Sequence, residues 1–287
     1  MNTASTAFSL EPLPTGGGSL RNILTVDVEN WYHVPYENAT RYLLDLFDEH
    51  GARATFFVVG YVAERTPGLV RDIAARGHEI GSHGLRHTPL QRMTPAALKE
   101  ELSRALAVLG NITGAPVVSF RAPVFSLVEQ TYWAFDVMAS LEMKYDSSVF
   151  PIAGARYGVP GFPRGAVRVT CPSGTLIELP LSTVRHAGRN WPVSGGGYFR
   201  LMPYPVIRWA VRAVNAEGMP FVAYCHPYEF GEARLRHRRG SSPFGWLKSR
   251  RDELTQNMFR SSMRGKFARL LGGFPFTSIR EAFDDHA

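Results

Sequence analysis

The 287-residue chain is 45% hydrophobic and 20% charged, which excludes intrinsic disorder and leaves room for one large α/β domain or two small ones. Its two cysteines, Cys171 and Cys225, lie far apart in apolar surroundings, which excludes a disulfide framework or cysteine zinc site and reads as buried thiols. The net charge of +7 is partly local, carried by Arg234, Arg236, Arg238, Arg239, Lys248, Arg250 and Arg251 in a stretch without an acid.

That stretch reads as a solvated loop, or as a dock for anionic headgroups or a phosphate-linked substrate. No nucleic-acid-binding motif accompanies it, so no nucleic-acid partner is expected. Residues 1–20 read as a flexible polar tail, and 21–287 as a single domain that includes a basic segment at about 231–262. The opening residues lack the basic and apolar regions of a signal peptide, and no run is long and apolar enough to span a membrane. The expectation is a soluble, cytoplasmic protein.

Strand-like and helix-like segments alternate along the chain. Asn22–Val28 predicts a strand ending in acids, and Thr40–His50 a helix stopped by Gly51. Ala54–Val59 reads as a buried strand, Pro67–Arg76 as a helix closed by Gly77, and His78–Ser82 as the next strand. Thr94–Leu109 is a helix with Thr94 as cap, Pro95 in the first turn and Gly110 as stop. Val117–Phe120 follows as a strand. From Tyr145 to Arg200 the chain turns to loops and short strands, rich in Gly, Pro and β-branched residues. Phe221–Cys225 restores the strand pattern, Met263–Leu271 reads as a helix, and Phe274–Ile279 as a final strand. Such alternation, with polar residues at strand ends, predicts a parallel α/β barrel or a doubly wound sheet.

The chemistry-bearing signal is the pair His83 and His87, four residues apart, with the acids of Asp27-Val28-Glu29 well upstream. Two imidazoles one helical turn apart can meet one ion, and a carboxylate completes a three-ligand site with an open position, as in hydrolytic zinc centres. Asp27 and Glu29 alternate on a strand and share a face. Further motifs follow in order: Phe120-Arg121-Ala122-Pro123-Val124, Tyr145-Asp146-Ser147-Ser148 and Tyr224-Cys225-His226-Pro227. Each has a plainer reading alone; Asp146 before two serines is equally a turn signal.

In content and order these motifs resemble the polysaccharide deacetylase family, the NodB-homology carbohydrate esterases, over nearly the whole chain after residue 20. Asp27-Val28-Glu29 with Trp31-Tyr32, the Gly195–Arg200 run and the Phe276–Glu281 ending are similar to deacetylases of exosortase-type exopolysaccharide clusters. The resemblance implies a single-domain α/β fold, a distorted (β/α) barrel. It also implies hydrolysis of N-acetyl groups on amino sugars of a bacterial exopolysaccharide or its lipid-linked precursor.

The resemblance assigns roles residue by residue. Glu29, His83 and His87 would hold a divalent metal, Zn2+ first, with Co2+, Mn2+ or Ni2+ as alternatives. Asp27 would be the general base, oriented by Arg121. His226 would protonate the leaving amine, with Asp146 holding its tautomer. The Val124 N–H would donate to the oxyanion, and Tyr198, with Trp191 and Phe199, would contact the sugar or pack in the core. His33, His78 and His186 are left as structural or rim residues.

Departures from the common pattern are the spaced Glu29 in place of an adjacent aspartate, Asn30 where close relatives carry an acid, and Cys225 before the last histidine. Asn30 leaves the third metal ligand open, and Cys225 bears on the acyl pocket. Two other readings stay open: a deformylase or cyclic-amide hydrolase of the same superfamily, and a carbohydrate-binding protein that has lost its chemistry.

Overall fold

The computed structural model describes residues 8–13, 21–30, 36–154, 157–232, 234–235 and 243–284, without the side chains of 243–248 and 252. Its strands are β1 (Ser9–Pro12), β2 (Asn22–Val28), β3 (Thr55–Val58), β4 (Glu79–Ser82), β5 (Ser119–Phe120) and β6 (Tyr145–Asp146). They continue with β7 (Val167–Cys171), β8 (Gly174–Glu178), β9 (Thr183–His186), β10 (Arg189–Pro192), β11 (Val222–Cys225) and β12 (Phe276–Thr277).

The sheet runs β1-β7-β8-β6-β5-β4-β3-β2-β11, with β12 beside the start of β2 and β9-β10 as a separate hairpin. From β8 to β11 every pairing is parallel. All of β2 is buried, as expected of a parallel strand covered on both faces. Helices Tyr36–Glu49, Pro67–Ala75 and Tyr204–Ala216 press Leu43, Phe47, Val70, Ile73, Ile207 and Val211 onto one core.

The run of parallel strands is open between β8 and β11, which share no ladder among the described residues. The segment after β8 bridges them instead: the N–H of Val222 donates to Ser182 Oγ at 2.8 Å, and Ser194 Oγ donates to the Val222 carbonyl. Gly195 and Gly196 then press on Tyr224 at positive φ, where a Cβ would collide with the Tyr224 backbone and ring. The glycine run is therefore a requirement of close approach.

Several expectations need correction. The tail 1–20 holds a strand: Ser9–Pro12 pairs antiparallel with Val167–Thr170, and Phe8 lies 5.0 Å from the Tyr132 ring. The helix capped by Thr94, whose Oγ1 accepts from Ala97 N, runs through Gly110 to Thr113. It stops at Gly114, the residue that adopts the left-handed conformation at φ 71°. The expected final strand is short and gives way at Ser278 to a helix, Ile279–Phe283. No helix of the described residues is long and apolar enough to cross a membrane.

Candidate metal and active site

The selected residues gather at the carboxyl ends of neighbouring strands. Asp27 is in β2 and Glu29 just past it; His83 follows β4, Arg121 follows β5, Asp146 ends β6 and His226 follows β11. Strand alternation sends Asp27 and Glu29 to one face, and both line the same pocket.

Glu29, His83 and His87 bring one ligand atom each to within 4.8 Å of one another. His87 Nε2 lies 2.7 Å from Glu29 Oε2, and His83 Nε2 lies 4.0 Å from Glu29 Oε1. The histidines are not on a helix, contrary to the one-turn reading of their spacing. They sit in the loop after β4, folded by positive φ at Gly84 (76°) and at His87 itself (60°). Asn30 is exposed, whereas buried Glu29 is the carboxylate that lies with the two histidines.

The group fits a cation. The Nδ1–H of His83 donates to the Arg121 carbonyl at 2.8 Å, leaving the Nε2 lone pair for a metal. Burial pushes His83 down to about 4, so the ring is neutral near pH 7. His87 Nε2 is buried and, despite its closeness to Glu29, makes no angularly sound hydrogen bond; a cation would satisfy it. Burial alone would raise the Glu29 carboxyl, but contacts with His226 and His87 outweigh it and hold it well below the usual carboxylate range.

Beside this group Arg121, fully buried, grips Asp27 with Nη1–Oδ1 at 2.8 Å. Its other bonds go to Thr25 Oγ1, the Ser147 carbonyl and Ser147 Oγ, each at 2.8 Å, with the Phe57 ring 4.4 Å below the guanidinium. A buried charge so fully bonded is held in one orientation.

The structure corrects the role of Asp146. Among the described residues it makes no hydrogen bond or ion pair with His226. It accepts from Ser148 Oγ, which in turn accepts from the N–H of Ala122 at 2.7 Å. With Ser147 bonding Arg121, the Asp146-Ser147-Ser148 stretch is a frame for the Arg121-Ala122 turn. Asp146 also faces Glu178, and burial raises both, Asp146 to about 6 and Glu178 well above the usual range.

The carboxylate beside His226 is Glu229, fully buried, with Oε2 3.7 Å from Nδ1; Nε2 lies 3.0 Å from Glu29 Oε1. Glu229 also accepts from the N–H of His226 at 3.0 Å and is paired with buried Arg200 at 3.1 Å. Burial would lower the His226 ring, but Glu229 and Glu29 together raise it to about 10. Sequence reading missed Glu229 and placed no role on Arg200. The signal available was the spacing His226-Pro227-Tyr228-Glu229, a tight turn that folds the carboxylate back on its own backbone.

Asp27, Glu29, His83, Val124, Tyr157, Tyr224 and His226 line a cavity of 110 Å³. Val124 stands at φ 54°, a strained conformation for a β-branched residue. Cys225 belongs to the core and does not line this cavity, whereas its neighbour Tyr224 does. Tyr198 is half-buried, edge-on to Phe150 at 6.1 Å, Phe199 is core, and Trp191 is 55% exposed on β10. His78 is buried against Phe47 and Phe56, and His186 is exposed. Trp31, Tyr32 and His33 lie outside the described residues, as do Arg236, Arg238 and Arg239 of the basic segment. In that segment Arg250 and Arg251 are exposed, and Arg234 lies 3.8 Å from Glu253.

Residues 22–145 match the family model described as polysaccharide deacetylase, and residues 147–284 match a domain of unknown function, DUF3473. A peptidoglycan-N-acetylglucosamine deacetylase from Bacillus cereus is 31% identical over 93 residues, 32% of this chain and 34% of that protein. A chitooligosaccharide deacetylase from Bradyrhizobium is 33% identical over 99 residues, 34% of this chain and 42% of its own. The match thus spans less than half of either relative. A Mycobacterium smegmatis crystal structure assigned to the polysaccharide deacetylases shares the fold at TM-score 0.61 and 19% identity, over 96% of this chain and 94% of that one. Residues 22–145 are thus a polysaccharide deacetylase domain, and residues 147–284 a DUF3473 region that follows it.

Proposed function

We propose that the protein removes N-acetyl groups from amino sugars of a bacterial exopolysaccharide or its lipid-linked precursor. The observation that carries this reading is the 110 Å³ cavity whose walls include Asp27, Glu29, His83 and His226: one member of the buried carboxylate–arginine pair, two of the Glu/His/His group, and the histidine held by Glu229. A cavity this small is below the roughly 300 Å³ that takes a whole ligand, and suits an acetamido group. The exopolysaccharide class follows from the similarity of Asp27-Val28-Glu29 and of the Gly195–Arg200 run to deacetylases of such clusters.

Glu29, His83 and His87 would hold a divalent cation, Zn2+ first, which when bound acts as a Lewis acid on the carbonyl and acidifies water. Asp27, aimed by Arg121, takes a proton from the attacking water. As the water oxygen bonds to the carbonyl carbon, the Val124 N–H donates to the developing oxyanion. His226, held protonated by Glu229, gives its proton to the departing nitrogen as the C–N bond breaks, leaving acetate and a free amine. Tyr198 stands behind the cavity wall, where it supports Tyr157 and Phe150.

The experiment is incubation of the metal-loaded protein with N-acetyl and N-formyl amino sugars, with the released acid measured. Acetate supports the proposal; formate alone would favour the deformylase alternative. The binding-protein alternative drew on Asn30 and Cys225, and neither belongs to the cavity walls. Peripheral contact of the basic segment with anionic lipid is a further part of the proposal. Unchanged vesicle binding after neutralising Arg250 and Arg251 would remove it.

A further inference from the structure

Outside the small cavity lies a cleft of 700 Å³ that shares Glu29 and Val124 with it and is walled by Tyr61, Arg86 and Arg92 among others. Its dimensions suit a sugar unit next to the one that presents the acetamido group. Glu29 is the only acid among the described lining residues, and its charge belongs to the metal group. Neither the Arg86 nor the Arg92 guanidinium has an ion pair or hydrogen bond among the described residues. The carboxylate nearest the Arg86 backbone, Glu101, is engaged by the Arg86 N–H at 3.2 Å and by Thr88 Oγ1 at 3.5 Å.

Two guanidiniums without counter-charge beside a cation site repel it and each other, an arrangement relieved when an anion enters between them. Guanidinium is also the side chain best shaped to hold a carboxylate or phosphate through paired N–H donors. Tyr61, 44% exposed in the same cleft, offers an aromatic ring to a sugar, with the Arg65 guanidinium carbon 4.8 Å from its centroid.

We propose that this cleft is a subsite for an anionic sugar unit, carrying a carboxylate or phosphate, held by Arg86 and Arg92 beside the N-acetylated residue. The inference rests on the deacetylase reading and adds to it the charge of the substrate.

The test uses the full chain and three probes: neutral chitotetraose, a tetrasaccharide alternating N-acetylglucosamine with glucuronic acid, and UDP-N-acetylglucosamine. Acetate release by the metal-loaded protein and calorimetric binding to the metal-free protein are both read. At least one charged probe is expected to exceed the neutral one by about tenfold in kcat/KM and in affinity, the size of one charge-assisted contact. Which charged probe gains separates carboxylate from phosphate. The advantage should shrink in about 0.5 M salt and fall to near unity in the Arg86→Gln/Arg92→Gln double variant. Equal handling of all three probes, or a preference that survives the double substitution, overturns the subsite. Failure of acetate release from every probe would count against the deacetylase reading instead, and the calorimetric order would still decide the subsite.

Discussion

The carbonyl of Arg121 accepts the Nδ1–H of His83 at 2.8 Å, so the residue that holds Asp27 with its side chain also sets the ring of a metal-ligand candidate with its backbone. Base and metal group are thereby tied to one turn. The two functions should still separate by substitution. Asp27→Asn is expected to lower acetate release by roughly 10²- to 10⁴-fold, the range of a lost general base, while metal content stays at the wild-type level. Arg121→Met leaves Asp27 buried without its partner and should cost about 3–5 kcal/mol of stability, read as a lowered denaturation midpoint.

The carboxylate that serves His226 is open to the same kind of test. Glu229 raises the imidazole, so Glu229→Gln should move the alkaline limb of the pH–rate profile to lower pH and reduce kcat more than it changes KM. Asp146→Asn should leave that limb in place, because Asp146 bonds Ser148 and not His226. A shift of the limb in Asp146→Asn but not in Glu229→Gln would reverse the assignment.

The fold was legible where hydrophobic runs and caps agree: the strand Asn22–Val28, the cap at Thr94 and the helix Met263–Leu271 stand where pattern alone puts them. Local signals failed where distant packing decides. Gly110 is helical because Gly114 supplies the left-handed stop, and Ser9–Pro12 is a strand because β7 offers it an edge. At the site, Asp27, Glu29, His83, His87, Arg121 and His226 were selected from motifs, and the structure brings them together at strand ends. The role given to Asp146 did not survive, since a turn motif cannot say which neighbour it braces. Glu229 escaped notice because its importance depends on burial and on Arg200, some thirty residues away in sequence and 3.1 Å away in space.

The buried pair Asp146 and Glu178 makes a prediction about pH and stability. Burial raises both carboxyls in the folded state, Asp146 to about 6. Between the ordinary carboxylate range and those raised values the folded protein holds protons that the unfolded chain has released. Stability from this pair is therefore complete at low pH and declines as pH rises through the window, by up to about 1.4 kcal/mol per pH unit for each proton held. Glu178→Gln removes one of the titrating groups and can keep the bond from the Val149 N–H to Oε1. Its denaturation midpoint should fall less than that of the wild type between pH 5 and pH 8; an unchanged or steeper fall would contradict the account.

The central claim is that Glu29, His83 and His87 form one cation site, and stoichiometric metal analysis of purified protein tests it most directly. The wild type is expected to retain about one divalent ion per chain, and Glu29→Ala and His83→Ala to lose most of it while remaining folded by circular dichroism, as removal of a ligand from a three-ligand site requires. Full retention in both variants would contradict the site.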